Sequence, residues 1–72
     1  MRILLDELLD DSTQYGNRQK EMENYIMNKF HSGYSETDIV DSLIDEYYLE
    51  DFETEYDYIA DFVHNTITTY KE

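Results

Sequence analysis

The side chains of this 72-residue chain best equipped for chemistry are its 18 carboxylates and two histidines. His31 and His64 stand far apart, no cysteine is present, and no serine sits in a glycine-rich elbow, so no nucleophile–base pairing is spelled out. Carboxylate pairs act as general acid and base only where a cleft raises one pKa, and so short a chain seldom encloses such a cleft. Enzymatic activity is therefore not expected. His31, close to Gly33, reads as a helix-end residue that complements the dipole, and His64, next to Val63, as a partly exposed one.

Metal chemistry fares no better. Asp51-x-Glu53-x-Glu55-x-Asp57 imitates the alternation of a calcium loop, but the glycine and glutamate required at the sixth and twelfth positions are Tyr56 and Phe62. No metal site and no cofactor is expected, only diffuse attraction of cations. A second pattern, helix, Gly33 turn and capped helix with Ile39 inward, imitates a DNA-binding helix-turn-helix. Its second helix carries acids and no base, so DNA would be repelled.

Charge is the dominant property. Eighteen acids against five bases give a net charge of −13. Size scaling predicts a folded surface of roughly 4,700 Å², about one excess negative charge per 360 Å². Direct binding to nucleic acid or to an anionic membrane is excluded on that ground. The 40% apolar content and 15% aromatic content argue for a folded chain. No apolar run exceeds three residues, so neither a transmembrane helix nor a signal peptide is expected, and a soluble, cytoplasmic protein is. The charge is also segregated. Residues 1–35 hold six acids and four bases, whereas residues 36–70 hold eleven acids and no Lys or Arg.

The elements that must carry these groups are helices. The expected fold is all-α, a three- to four-helix bundle in a single acidic domain over 1–72, with helices near 3–11, 18–31, 36–49 and 55–67. Leu4, Leu5, Leu8 and Leu9 mark the first apolar stripe, and Met22, Tyr25, Ile26 and Phe30 the second. Residues 12–16 read as a loop. Asn17 can cap the second helix, and Gly33 suits a left-handed residue past its end. Ser35 with Asp38 is a capping-box variant, and Tyr34 with Ile39 would supply a hydrophobic staple.

The third helix would bury Ile39, Val40, Leu43, Ile44, Tyr47 and Tyr48. The fourth would bury Ile59, Phe62, Val63, Thr66 or Ile67, and Tyr70. The β-branched Ile67-Thr68-Thr69 leaves a short C-terminal strand open. An apolar stripe runs unbroken from Val40 through Tyr48, Phe52 and Tyr56 to Tyr70, so one long helix is conceivable. Glu50, Asp51, Glu53 and Glu55 would stack like charges within it, and they favour a restart near Thr54 instead.

Acids three and four residues apart on a helix project carboxylates about 5–6 Å apart, comparable to consecutive phosphates on a nucleic-acid strand. Glu36, Asp38, Asp41, Asp45, Glu46, Glu50, Asp51, Glu53, Glu55, Asp57 and Asp61 can thus offer a phosphate-like array to a basic groove. Charge runs are usually plain solvated faces; the length of this one, without a compensating base, favours a role in binding. Eight tyrosines are a second clue, because tyrosine is enriched at interface hot spots. Tyr48, Tyr56 and Tyr70 fall on the apolar stripe, which leaves Tyr47 and Tyr58, at its borders, as the better interface anchors.

In size, in the acid run from Glu36 to Asp61 and in its interleaved tyrosines, the chain resembles small acidic inhibitors of host nucleases encoded by phages and mobile elements. These include anti-CRISPR proteins, anti-restriction proteins and inhibitors of uracil-DNA glycosylase. Phe30-x-x-Gly33-Tyr34, the acidic aromatic stretch and Thr66-Ile67-Thr68 are similar to features of Cas9-blocking anti-CRISPRs. The resemblance implies a basic nucleic-acid-binding protein, such as a host nuclease, as partner, its DNA-binding surface occupied by the acidic face in the host cytoplasm. It carries over no residue roles.

The alternative is a helical regulatory module for a kinase, polymerase or transcription factor, docking an amphipathic helix into a partner groove. Leu4, Leu5, Leu8 and Leu9 would supply that face. A homodimer closed by a spare apolar stripe is a third expectation.

Overall fold

The computed structural model describes residues 2–12 and 16–71. Four helices follow in order: α1 (Leu5–Leu9), α2 (Gln19–His31), α3 (Glu36–Tyr47) and α4 (Glu53–Lys71). The three longer helices pack against one another pairwise, and α1 adds Leu5 and Leu8 to their shared core. That core is completed by Met22 and Ile26 from α2, Ile39, Val40, Leu43 and Ile44 from α3, and Ile59, Val63 and Ile67 from α4. The fold is small and all-α, as the periodicity predicts. Its 4764 Å² of accessible surface matches the size-scaling value.

Local signals account for most helix ends. The N-cap of α2 is Arg18, without a side-chain capping bond, and Asn17, expected as the cap, lies one residue earlier, where its side chain accepts the Gln19 N–H at 2.8 Å in an Asx turn. At the other end Gly33, with φ +96°, allows its own N–H to reach the Phe30 carbonyl and the Tyr34 N–H to reach that of Lys29. These are the two bonds of a Schellman motif. Ser35 caps α3 by accepting the Asp38 N–H at 3.2 Å. Tyr34 is exposed and lies under the Lys29 ammonium, 4.8 Å from its ring centre.

The long-helix alternative is resolved in favour of two helices, by a device the charge pattern did not specify. Tyr48 takes the left-handed conformation (φ 57°, ψ 46°) and ends α3. The next residue, Leu49, is fully buried and forms an isolated parallel β-bridge with Ile3. Ile3 donates its N–H to the Tyr48 carbonyl at 2.9 Å and accepts the Glu50 N–H at 2.8 Å, while Arg2 Nη1 donates to the Leu49 carbonyl at 2.9 Å. The start of the chain therefore pins the α3–α4 junction. It also shortens the first helix from the expected 3–11 to Leu5–Leu9, since Ile3 is committed to the bridge.

The C-terminal strand that the β-branched residues leave open is not formed: α4 continues through Ile67-Thr68-Thr69-Tyr70 to Lys71. Thr66 and Ile67 are buried against the bundle, and Thr66 Oγ1 donates to the Phe62 carbonyl at 2.8 Å. Tertiary packing here outweighs β propensity. α4 also begins at Glu53, two residues before the expected 55, with the Tyr56 N–H on the Phe52 carbonyl. Of the loop expected over 12–16, residues 13–15 lie outside the described residues.

Candidate partner-binding surface

α3 and α4 pack side by side, so their outward faces and the segment between them form one acidic surface. Asp38, Asp41, Asp45 and Glu46 on α3 are exposed, as are Asp51 in the junction and Glu53, Asp57 and Asp61 on α4. Glu50 and Glu55 are half-buried. Two of the expected site acids have internal partners. Glu36 meets His64 Nδ1 at 3.1 Å, an ion pair whenever the imidazole is protonated. Asp41 accepts the Tyr56 hydroxyl at 3.3 Å.

The bases lie elsewhere, with one exception. Lys20 and Lys29 are on α2, and Lys71 ends α4. Arg18 meets Glu21 at 3.6 Å. Arg2, remote in sequence, folds onto the junction, where its guanidinium sits 5.1 Å from the centre of the Tyr48 ring. The acid run is thus free of bases in sequence but touched by one base in space.

The tyrosines sort differently from the sequence expectation. Tyr47 packs against the core and Tyr58 is exposed, and both hydroxyls are engaged within the fold. Tyr47 donates to Glu21 Oε2 and Tyr58 to Asp6 Oδ1, each at 2.7 Å. Tyr70 donates to Glu23 Oε1 at 2.9 Å. With Tyr56 on Asp41, four phenols each bind a carboxylate on a different helix: α3 to α2, α4 to α1, α4 to α2 and α4 to α3. A chain with few bases uses phenols where others use lysine or arginine.

Each of these bonds favours the neutral phenol, so each pKa lies above the ordinary tyrosine value. Burial is the leading cause at Tyr47 and Tyr56, and the bonded carboxylate at Tyr58 and Tyr70. Asp10 moves the other way: the Ser12 N–H and hydroxyl both donate to it and hold its carboxyl below the usual range.

The stripe reading placed Tyr48 and Tyr70 in the core, but they are 54% and 55% exposed. Phe52 is 52% exposed. Because the helix breaks at Tyr48, the stripe is rotated away from the core there, and Tyr48 and Phe52 stand out among Glu46, Glu50, Asp51 and Glu53. Periodicity alone carries no signal for them; the only hint was the like-charge crowding that argued for a break.

Leu5 and Leu8 are core residues, so α1 retains only Leu4, 39% exposed, and the half-buried Leu9 for an outside partner. Among the described residues no three His, Cys, Asp or Glu side chains come close enough to hold a metal ion. Among them, too, no helix is long and apolar enough to cross a membrane. The chain matches no protein-family model, no curated protein and no solved structure.

Proposed function

We propose that this protein inhibits a nucleic-acid enzyme by presenting the α3–α4 surface as a substitute for nucleic acid. The observation that carries the reading is the exposed set Asp38, Asp45, Glu46, Asp51, Glu53, Asp57 and Asp61. Among the described residues no side chain of this set has a hydrogen-bond or ion-pair partner, and none belongs to the core. Acids kept for solubility alone would be scattered among bases, and these are not.

The charge density supports the same reading. Thirteen net charges along a long axis of 32 Å amount to about one per 2.5 Å, approaching the one per ~1.7 Å of duplex DNA. A basic groove built for that field would attract this protein quickly and in a salt-dependent way. The partner is then a DNA- or RNA-binding enzyme with a Lys/Arg-lined site, in the cytoplasm. A host defence nuclease, the type of target blocked by anti-CRISPR and anti-restriction proteins, is such an enzyme.

The test couples capture with charge reversal. Tagged protein is incubated with host lysate and washed with duplex DNA or with about 0.5 M salt, which shortens the screening length to roughly 4 Å. A basic nucleic-acid enzyme released by both washes, and inhibited by the purified protein, is the expected result. Reversal is best made at Asp38, Asp45, Asp57 and Asp61, because Asp41 holds the Tyr56 hydroxyl. Four Asp→Lys changes of two charges each take the net charge from −13 to −5. They should abolish inhibition while the helical circular dichroism persists. Full inhibition by the folded quadruple variant, or a partner that survives both washes, would overturn the reading.

A further inference from the structure

A groove runs between α2 and α4 on the flank of the bundle. The hydrogen bond from Tyr70 to Glu23 divides it into two notches of about 240 Å³ each. One is lined by Glu23, Asn24, Met27, His31 and Tyr70. The other shares Glu23 and Tyr70 and is walled mainly by Phe62, Asn65 and Thr66. No lysine or arginine lines either, and Glu23 is the carboxylate common to both.

Glu23 differs from Asp38, Asp45, Asp57 and Asp61 of α3 and α4 in being held on both carboxylate oxygens. Oε1 accepts the Tyr70 hydroxyl at 2.9 Å, and Oε2 accepts Gln19 Nε2 at 3.2 Å. Two donors on the two oxygens fix the carboxylate plane, and each oxygen keeps a further lone pair for an incoming donor. Beside it the Tyr70 ring, more than half exposed, offers a π-face. Met27 and Phe62 supply apolar walls for an aliphatic stem. An oriented carboxylate, an aromatic face and a short apolar wall are the components that recognise an organic cation. Each notch is smaller than the ~300 Å³ at which sites for drug-sized ligands begin, so the occupant is one side chain or a small amine, not a cofactor.

We infer that the Glu23–Tyr70 groove is a binding site for a single guanidinium or primary ammonium group. The inference stands apart from the acidic surface, since Glu23 and Tyr70 lie outside the 36–61 run, and it holds whether or not that surface mimics nucleic acid. The cation can come from an arginine or lysine side chain of a partner protein or from a free small amine.

The test is an NMR titration of the intact protein at fixed ionic strength with N-acetyl-arginine-amide, and with N-acetyl-citrulline-amide as the uncharged isostere. Saturable shifts are expected at the Met27 methyl, the Tyr70 ring and the Asn24 and Asn65 side chains, with arginine and not with citrulline. Glu23→Gln is nearly isosteric and keeps one acceptor oxygen for the Tyr70 hydroxyl while giving up the bond from Gln19, and it should weaken binding about tenfold by removing the charge. Tyr70→Ala removes an exposed ring and should weaken it as well. Equal shifts with citrulline, an unchanged affinity in Glu23→Gln, or shifts spread over the α3 and α4 carboxylates would each overturn the assignment. Agmatine and the blocked tripeptide Gly-Arg-Gly then separate the sources. Tripeptide binding as tight as that of agmatine supports a partner's side chain, and binding of agmatine alone supports a free amine.

Discussion

Replacing Tyr47 by Phe removes one hydroxyl and little else. The ring remains edge-on to Tyr25, with centroids 6.2 Å apart, so the variant isolates the bond to Glu21. A hydrogen bond to a charged acceptor contributes about 1.5–3 kcal/mol. The Glu21 side chain is 55% exposed, and water recovers much of the carboxylate when the phenol is gone, so about 1 kcal/mol is the reasoned loss. For a domain of this size that lowers Tm by roughly 4–8 °C.

Thermal melts followed by circular dichroism would read the shift, and a double-mutant cycle with Glu21→Gln would assign it to the pair. The effect should also depend on pH. Burial and the Glu21 bond raise the Tyr47 pKa above its unfolded value of about 10. The linked stability is therefore fully present below pH ~10 and is lost as pH rises above it. The Tm gap between wild type and Tyr47→Phe should narrow over that range. A gap under about 1 °C at neutral pH, or one that widens in alkali, would refute the account of phenols as interhelical ties.

Other expectations concern the junction and the field. Leu49→Ala should cost about 2–4 kcal/mol, as a helix-core leucine does, because Leu49 is fully buried. Chemical denaturation that shows a loss below about 1 kcal/mol would mean that the segment after Tyr48 is a mere connector. Raising NaCl from low concentration to about 0.5 M should increase Tm, since screening relieves self-repulsion at a net charge of −13. A flat or falling Tm would mean that the acids are balanced locally, contrary to their exposed positions.

What could be read in advance followed the range of the interactions involved. The Ser35 cap and the Gly33 terminus are signals confined to a few residues, and both are where the pattern puts them. The Ile3–Leu49 bridge joins residues near opposite ends of the α1–α3 segment, and no periodicity encodes such a pairing. Its consequences, a short α1 and an exposed Tyr48 and Phe52, were missed for that reason. At the C-terminus local propensity misled, because burial of Thr66 and Ile67 decided the outcome. Acid positions were legible as a surface because helical spacing puts them opposite the apolar stripe. The cross-helix use of tyrosine hydroxyls was not, since nothing in spacing pairs Tyr58 with Asp6 or Tyr70 with Glu23. For the same reason the groove around Glu23 left no trace in the sequence.

The phenol–carboxylate ties leave the charge untouched. An arginine in place of any of the four tyrosines would hold its carboxylate equally well but would cancel one negative charge, and four such replacements would bring −13 to −9. A neutral donor fastens one helix to the next without adding a compensating positive charge, so the electric field beyond the surface survives the act of folding. Mechanical cohesion and outward potential, which compete for the same side chains in most acidic proteins, are assigned here to different chemical groups. Acids can then be added to this scaffold, or moved about on it, without a matching base for each.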